Sequence, residues 1–446
     1  LGSFALATQN HSTGTENYNV GVGYNAGGLI TTGVENTLLG ALAGDSLTDA
    51  DYNTALGYRS LSADTKGSRS VAVGRESLFN QNFSTATDSY NVAVGYSAGQ
   101  QVTTGTQNTL VGGEAADALT DSDFNVAVGY HALGADTLGS RSTAIGHSAL
   151  AAQNFTTATN SHNVGVGYFA GAAVTTGTQN TLIGALAGDA LTTGSSNVAL
   201  GFQALTTDTL GQSSVAIGRN ALIVQNFTTA TDSFNVAIGD RAATSITTGQ
   251  QNTLIGGLAG DALSDADFNV AIGVSALGAD TLGSQSVAIG NSALGAQNLT
   301  TATNSLNTAV GFQAGASVTT GTSLTLIGAQ AGDALTDADY NVAVGDFALS
   351  ADTLGSRSVA MGHGSLATQN FTTATDVYNT AIGYASGNKI TTGTRNTIFG
   401  GLAGDAITTG DQNTVLGALA LSEETTGEYS VAVGYQALAV QNSTTG

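Results

Sequence analysis

The chain has 446 residues, of which 61 are Gly, and it contains no Pro, Cys or Trp. Charged residues make up only 9%, and 32 Asp and Glu against 10 Lys and Arg give a formal net charge of −22. Strong helix formers are scarce, which argues against helical bundles and doubly wound α/β enzymes, and the excess of acid argues against nucleic acid as a partner. No run of about 18 apolar residues occurs, so we expect no membrane insertion in this segment.

The chain is a tandem array with a period of 72 residues. The pattern that opens at Asn19 returns at Asn91, Asn163, Asn235, Asn307 and Asn379. We therefore predict one continuous elongated domain of six repeats, preceded at 1–18 by the end of an earlier repeat. The six repeats are 19–90, 91–162, 163–234, 235–306, 307–378 and 379–446, the last of which is incomplete. Both ends of the chain fall inside a repeat, which leaves open a longer array.

Each repeat divides into four units of 17, 17, 17 and 21 residues. A unit opens with Asn or Ser (Leu324 is the one exception), then Val or Thr, usually Ala, a bulky apolar residue and Gly. Alternation of this kind before a Gly predicts a short strand and a turn. Units of this length fit one coil of a β-solenoid. We predict an all-β, parallel β-roll of about 25 rungs spaced about 4.8 Å apart, which would form a rod.

The second half of many coils ends in a glycine. Thr-Thr-Gly closes the first unit of each repeat, and a Gly occupies the same place in the third unit. We expect these glycines to supply the positive φ of a tight corner. They are Gly33, Gly105, Gly177, Gly249, Gly321 and Gly393 in the first units, and Gly67, Gly139, Gly211, Gly283, Gly355 and Gly427 in the third units.

The two faces of each strand carry different side chains. We expect the fourth residue, which is always Val, Ile, Leu, Met or Phe, to stack inside the coil. The third residue is usually Ala or Gly, but it is large in the second unit of every repeat: Leu38, Leu110, Leu182, Leu254, Leu326 and Ile398. Because a solvent-facing position should not vary in this way, we interpret these six residues as the interface of a homotrimer. The alternative is a single solenoid with an uneven core.

Two motifs resemble known fibre repeats. Ser-Val-Ala-Ile-Gly at Ser214–Gly218 and Ser286–Gly290 resembles the head repeat of trimeric autotransporter adhesins of the Yersinia adhesin type. Asn-Thr-Ala-Ile-Gly-Tyr at 379–384, with Thr-Thr-Gly at 391–393, is similar to shaft repeats of phage-type tail fibres. The resemblance implies a left-handed parallel β-roll with three chains side by side, in an extracellular cell-surface appendage or a virion fibre. The coil here is longer than the family's, with its 17, 17, 17, 21 organisation.

The four extra residues of every fourth unit carry an Asn-x-Ser/Thr triplet. An insertion into a regular coil should bulge outward, so we expect a row of loops that could be N-glycosylated, carry O-linked sugar on Thr, or contact a receptor. The structural alternative is that Asn caps the turn and the following Phe packs against the coil. The triplets begin at Asn10, Asn82, Asn154, Asn226, Asn298, Asn370 and Asn442.

Pairs of Asp close the second unit in four repeats. Stacked carboxylates are weak candidates for Ca²⁺ ligands, although Asp is also an ordinary turn residue whose side chain can bond the backbone two residues on. The pairs are Asp49 and Asp51, Asp121 and Asp123, Asp265 and Asp267, and Asp337 and Asp339. The five His do not recur with the repeat, so we predict no other metal site, no other cofactor and no catalytic residues.

Aromatic residues often follow the strand-ending Gly, as at Tyr24, Tyr96 and Tyr168. We expect them to pack at the corner; a stripe that stacks on sugars is the alternative.

The sequence thus predicts a structural, adhesive fibre shaft that is not an enzyme. Its function would be reach and multivalent display of loops to a host-surface receptor or glycan. Two alternatives belong to other classes: a monomeric solenoid that binds ice or a polysaccharide through stacked Thr, and a secreted β-roll that requires Ca²⁺ to fold.

Overall fold

The computed structural model describes residues 2–11, 14 and 16–441, in which the secondary structure consists of short strands and turns without a helix. The chain divides into two compact units. The first comprises Leu1–Arg219 with Asn226–Asp232, and the second comprises Asn220–Gln225 with Ser233–Gly446. Within each unit the described strand pairs are parallel, which confirms the predicted all-β parallel β-solenoid.

The first unit contains twelve three-residue strands and three pairs of two-residue strands. In chain order they are β1 (Val20–Val22), β2 (Thr37–Leu39), β3 (Thr54–Leu56), β4 (Gly67–Ser68), β5 (Val71–Val73), β6 (Thr87–Asp88), β7 (Val92–Val94), β8 (Thr109–Val111), β9 (Val126–Val128), β10 (Gly139–Ser140), β11 (Thr143–Ile145), β12 (Thr159–Asn160), β13 (Val164–Val166), β14 (Thr181–Ile183), β15 (Val198–Leu200), β16 (Gly211–Gln212), β17 (Val215–Ile217) and β18 (Thr231–Asp232).

The second unit contains twelve three-residue strands and two pairs of two-residue strands. They are β19 (Val236–Ile238), β20 (Thr253–Ile255), β21 (Val270–Ile272), β22 (Gly283–Ser284), β23 (Val287–Ile289), β24 (Thr303–Asn304), β25 (Thr308–Val310), β26 (Thr325–Ile327), β27 (Val342–Val344), β28 (Gly355–Ser356), β29 (Val359–Met361), β30 (Thr375–Asp376), β31 (Thr380–Ile382), β32 (Thr397–Phe399), β33 (Thr414–Leu416) and β34 (Val431–Val433).

The three-residue strands, each with the residue before it (Asn or Ser, but Leu324 before β26), form one side of every coil, which we call the strand leg. Consecutive strand legs pair residue for residue, so that Val92 lies beside Thr109 one coil later. Across the long coil the step is 21 residues, as from Thr143 to Val164. The two-residue pairs join the end of the third unit to the end of the long fourth unit, as β10 pairs with β12. At the spacing of parallel strands, twelve rungs advance each unit by about 55 Å.

The structure reverses the predicted faces of the strand leg. The third residue points into the coil and is fully buried, whether it is Ala127 or Leu110, while the second and fourth residues point outward. The Asn at the first position turns inward because its carboxamide bonds the backbone across the coil, as Asn108 Nδ2 does to the Ser122 carbonyl at 2.7 Å. Period-two alternation then carries the third residue inward with it.

The six predicted trimer-interface residues therefore lie in the core of the chain itself. Each is at most 1% exposed, so the prediction that they form an interchain interface is wrong. They are Leu38, Leu110, Leu182, Leu254, Leu326 and Ile398.

The alternation of Ala and Leu at this position is explained by packing inside the coil. A Cβ on Gly171 would lie 2.6 Å from Leu182 Cδ1, and one on Gly188 would lie 2.7 Å from its Cδ2. These glycines therefore leave the volume that Leu182 fills. In the next coil Leu205 replaces the glycine and is fully buried, and the strand residue shrinks to Ala199. A large side chain on one side of the coil is thus matched by a small residue on the other side, which keeps the interior close-packed.

Positive φ occurs at the end of the strand and not at the predicted corner glycines. Gly129 has φ 134°, and a Cβ there would lie 2.5 Å from the Gly146 carbonyl oxygen of the next coil. Neither Gly105 nor Gly139 has a positive φ, so that prediction is wrong for them and for the glycines grouped with them. Gly139 is needed for a different reason: a Cβ there would collide with the Asp136 carboxylate.

Candidate interaction surface

The outward residues of the strand legs form an apolar surface, which we call the outer strand face. Its second-position residues are Val or Thr and its fourth-position residues are Val, Ile, Leu, Met or Phe, without a charge in any of the 24 three-residue strands. Leu39, Leu56 and Leu200 are more than 40% exposed in the first unit. In the second unit Ile327 is 40% and Met361 38% exposed. Since rungs lie about 4.8 Å apart, the side chains form two columns in each unit.

Aromatic side chains border the outer strand face on both sides. One column follows the strand-ending Gly, and the other precedes the first residue of the strand leg, which is Asn or, after Tyr429, Ser. The rings are all at least 40% exposed, so they lie on the surface and are not packed under the corner. The first column contains Tyr24, Tyr58, Tyr96, Tyr130, Tyr168, Phe202, Phe312, Tyr384 and Tyr435; the second contains Tyr18, Tyr52, Tyr90, Phe124, Phe234, Phe268, Tyr340, Tyr378 and Tyr429.

Arginines lie between rings in the second column. The Arg69 guanidinium carbon is 4.7 Å from the Tyr52 ring centroid and 5.8 Å from that of Tyr90, and its Nε pairs with Asp88 at 3.0 Å. The hydrogen bond to that carboxylate raises the pKa of Arg69. Arg357 is in the same arrangement in the second unit. Exposed pairs of this kind add little stability.

Ring-to-ring contacts also join consecutive coils at the first column. His147 lies 5.4 Å from Tyr130 and 5.5 Å from Tyr168, centroid to centroid, and Tyr168 lies 4.4 Å from Phe169. Such contacts fix side chains that would otherwise be free on the surface.

The Asp pairs form hydrogen bonds to residues at the same corner of the preceding coil. Asp123 accepts the N–H of Thr106 at 2.6 Å and its hydroxyl at 2.9 Å, and Asp121 accepts the Thr104 hydroxyl at 2.5 Å. The Asp123 N–H in turn donates to Ser140 Oγ. Because Thr and Ser occupy the adjoining coils, the carboxylates do not stack. Equivalent bonds to backbone N–H groups are made by Asp51, Asp267 and Asp339.

Neither a metal cluster nor a cleft accompanies these pairs in the described part of the chain. Over residues 2–11, 14 and 16–441, no three acidic or His side chains converge where a metal could bind. The same residues enclose no pocket. The contacts of the Asp pairs are those of turn residues, the alternative to the calcium interpretation.

The insertion loops are anchored by the residue that follows Asn. In five of the loops this residue is at most 7% exposed, and in one of them Ser84 to Ala86 after it are exposed, whereas His11 after Asn10 is only partly buried. Each of these loops is therefore buried at the residue after Asn and exposed beyond it. This supports the interpretation that the Phe packs against the coil. The anchoring residues are Phe83, Phe155, Phe227, Leu299 and Phe371. Asn442 lies outside the described residues.

Sequence reasoning missed a buried polar network beneath each loop. Gln153 Nε2 donates to Asp136 at 2.5 Å and to Ser142 Oγ at 2.8 Å, and its Oε1 accepts from Asn163 Nδ2 at 2.8 Å. Ser142 also shares a hydrogen bond with Ser161 at 2.6 Å. All five residues are fully buried. Burial raises the pKa of Asp136, although Gln153 and backbone N–H groups donate to it.

The same Asp–Gln bond recurs in the other repeats, as Asp64 with Gln81, Asp280 with Gln297 and Asp352 with Gln369. The available signal was the recurrence of an Asp and a Gln 17 residues apart, which places them in adjacent coils.

Another set of carboxyl groups is half-buried, at the turn that follows the strand in the second unit of each repeat. Asp45 accepts the Ser62 hydroxyl from the next coil at 2.5 Å. At the equivalent place Asp117 faces Gly134, and its Oδ1 is without a hydrogen-bond partner. Burial raises the pKa of Asp117. Burial likewise raises the pKa of Asp261, Asp333 and Asp405.

The described strands form a parallel β-solenoid with an uncharged apolar face and exposed loops. The YadA head domain repeat (2 copies) matches residues 138–159, 354–375 and 426–445, each of which begins at the end of a third unit and continues into the long fourth unit. These segments are similar to the head repeat of the Yersinia adhesin type, the resemblance predicted from the sequence, and with the solenoid fold they suggest an adhesin-like repeat region. Neither a curated protein nor a solved structure matches the chain. A membrane-spanning helix is absent from the described residues.

Proposed function

We propose that this chain is the shaft of an extracellular adhesive fibre in which three copies associate through their outer strand faces. The observation that carries the proposal is the uncharged apolar face itself. Exposed Leu200 and Ile327 belong to columns that contain only apolar residues and Thr.

Each unit carries an outer strand face about as large as the largest apolar patch of a typical monomer. Two columns about 10 Å wide along about 55 Å give on the order of 500 Å² in each unit. The largest apolar patch on a typical monomer is about 300–600 Å² and is often functional. Here the patch occurs in both units and is bordered by aromatic rings, which are enriched in protein interfaces.

Charge favours a second copy of the chain as the occupant. With a net charge of −22, two copies repel one another across most of their surfaces. The outer strand face is the part where copies can meet without bringing carboxylates together. We propose three copies by analogy with trimeric adhesins, because three segments of the chain match the YadA head domain repeat.

In this arrangement the insertion loops face outward on the other side of the coil. The row of loops along each unit would give multivalent contact with a host-surface receptor or glycan. Adhesins of this family are typically not enzymes, and we propose a mechanical and adhesive role.

The Thr-based ligand-binding alternative has less support. Thr103 donates its hydroxyl to the Thr120 carbonyl at 3.1 Å, and Thr120 donates to the Thr137 carbonyl at 3.0 Å. These hydroxyls hold neighbouring coils together, so they are not free to bind an ordered ligand.

The test is the mass of the protein in solution, measured by light scattering, for the native chain and a double variant. We expect a trimer for the native chain. Leu200→Asp with Ile327→Asp should give a monomer whose circular dichroism remains that of β structure, because both side chains point outward.

Thr193→Asp with Thr409→Asp is the matched control. Both residues are exposed and occupy positions where other repeats have Asp121 and Asp265. This control adds the same charge and should remain trimeric. A native chain that is monomeric, or a Leu200/Ile327 variant that stays trimeric, would overturn the proposal.

A further inference from the structure

We propose that the insertion loops are N-glycosylated, and that the sugar is added before the coil closes. The chain contains seven Asn-x-Ser/Thr triplets, and all seven occupy one position of the 72-residue repeat. The chain has many other Asn residues, but none is followed two positions later by Ser or Thr. The triplet is the acceptor sequence for N-linked sugar.

The acceptor side chain is exposed and oriented. Asn154 accepts the Thr137 hydroxyl on its Oδ1 at 3.0 Å, and its backbone N–H donates to the Thr175 carbonyl at 3.0 Å. Its Nδ2 makes no hydrogen bond to the described residues. Thr156, two residues later, is exposed as well. The nitrogen that would carry a sugar thus projects into solvent.

The same geometry recurs in both units. In each case the Asn Oδ1 accepts a Thr hydroxyl from the preceding coil at 3.0 or 3.1 Å. The pairs are Thr65 with Asn82, Thr209 with Asn226, Thr281 with Asn298, and Thr353 with Asn370. Asn10 is exposed, while Ser12 of its triplet and the whole Asn442 triplet lie outside the described residues.

The loop points away from the outer strand face. Gln153, the residue before Asn154, turns inward and bonds Asn163 on the strand leg. Neighbouring residues of an extended segment point to opposite sides. Asn154 therefore faces outward, from the side of the coil that lies across from the strand leg. A sugar there would leave the outer strand face free. The assignment does not depend on the proposed trimer: sugar attachment and oligomeric state are measured separately.

The middle residue of the triplet determines when the sugar is added. Phe155 is 5% exposed, and its N–H donates to the buried Asp136 carboxylate at 3.2 Å. A transferase that binds the triplet in an extended form would have to pull this ring and this N–H out of the coil. The finished fold therefore protects the triplet, and the unfolded or nascent chain is the substrate.

The reaction is a group transfer from an activated sugar, either a nucleotide sugar or a lipid-linked sugar pyrophosphate, catalysed by a separate glycosyltransferase. The bond from sugar C1 to the phosphate oxygen breaks, and the phosphate leaves with its electron pair. A new bond forms between C1 and Asn Nδ2, which gives up one proton to a base of the transferase. No oxidant or reductant takes part.

The first experiment is intact-mass measurement and peptide mapping of the full chain from its natural source. We expect hexose or N-acetylhexosamine increments on peptides that contain the loop Asn residues. Asn154→Gln and Thr156→Ala should each remove the sugar from that loop alone. Thr156→Ser keeps the triplet and should keep the sugar, and Asn160→Gln, an exposed Asn outside any triplet, should change nothing.

The second experiment tests the timing. Unmodified chain is incubated with a soluble N-glycosyltransferase and its nucleotide sugar, once folded and once held unfolded in mild denaturant that the transferase tolerates. We expect at least a tenfold higher rate for the unfolded chain. Equal rates would overturn the timing. A natural chain with the mass of the bare polypeptide, or with sugar only on Thr hydroxyls, would overturn the assignment itself.

Discussion

Asn108 donates its backbone N–H to the side-chain Oδ1 of Asn91, one coil earlier, at 2.9 Å. Asn108 Oδ1 then accepts the N–H of Asn125 at 3.0 Å, so the carboxamides form a ladder inside the solenoid. Leu324 interrupts this ladder. Its N–H donates to Asn307 Oδ1 at 2.9 Å, but its side chain has no carboxamide oxygen to accept the N–H of the next coil. Since each Asn also bonds a carbonyl across the coil, the ladder joins the two sides of the coil and successive coils together.

Asn108→Ala should destabilise the chain strongly. The Ser122 carbonyl and the Asn125 N–H would both lose their partners in the interior, at about 1–3 kcal/mol each. Chemical unfolding followed by circular dichroism would measure the change in the free energy of unfolding. Asn291→Ala, at an exposed position, is the control and should stay within about 0.5 kcal/mol. Similar values for the two variants would contradict the ladder.

Leu182→Ala should lower the free energy of unfolding by about 2–5 kcal/mol, because it leaves a cavity above Gly171 and Gly188. The mass of the folded protein should not change, since the side chain does not reach the surface. Leu200→Ala, on the outer strand face, should show the opposite pattern, with weaker association and a small effect on the fold. Light scattering and urea unfolding of the two variants separate the roles, and dissociation of folded Leu182→Ala protein would contradict the core assignment.

The coil lengths and strand positions could be predicted because a parallel ladder needs the same register in every coil. Steps of 17 and 21 residues are therefore directly visible in the sequence. The orientation of the strand could not be predicted in the same way. In Val126, Ala127 and Val128 both faces are apolar, so hydrophobicity alone does not decide which is inside. The decision comes from Asn125, whose carboxamide must face the backbone across the coil.

The polar interior was hidden for a related reason. Asp136 and Gln153 are residue types that usually lie at the surface, and the loop sequence around them supported that interpretation. They are buried because each is the other's partner, and this contact exists only once adjacent coils are stacked. The exposed triplet at Asn154 was found in the sequence, whereas the burial of Phe155 required the structure.

Gly112→Ala and its neighbour Gly113→Ala should differ sharply. Gly112 has φ 141°, where a side chain costs about 1–3 kcal/mol, and its Cβ would also collide with the Gly129 carbonyl. The nearest atom to a Cβ on Gly113 is Tyr130 Cδ2, at 3.6 Å, which is ordinary contact. We expect a fall in melting temperature for Gly112→Ala and little change for Gly113→Ala. Equal stabilities would show that the strand-ending corner tolerates a side chain.

The stability of this chain should rise as the pH falls from neutral towards 4, which is opposite to the usual behaviour of acidic groups. Burial raises the pKa of Asp117, Asp136, Asp333 and Asp405 above the unfolded value of 3.8. Between the raised pKa values and 3.8 the folded state therefore binds more protons than the unfolded state, so the free energy of unfolding increases as the pH drops. Below 3.8 both states are protonated and the gain is complete.

Thermal melting at fixed protein concentration and ionic strength measures this effect, with the concentration fixed because association also shifts the melting temperature. Protonation also relieves repulsion among the many other carboxylates, so a variant is needed to isolate the buried groups. The triple variant Asp117→Asn, Asp333→Asn and Asp405→Asn removes the cost of burying three charged carboxylates and leaves the Asp136 network intact. We expect it to melt higher than the native chain at pH 7 and to gain less on acidification. A native melting temperature that falls steadily from pH 7 to pH 4 would show that these carboxyls are not destabilised by burial.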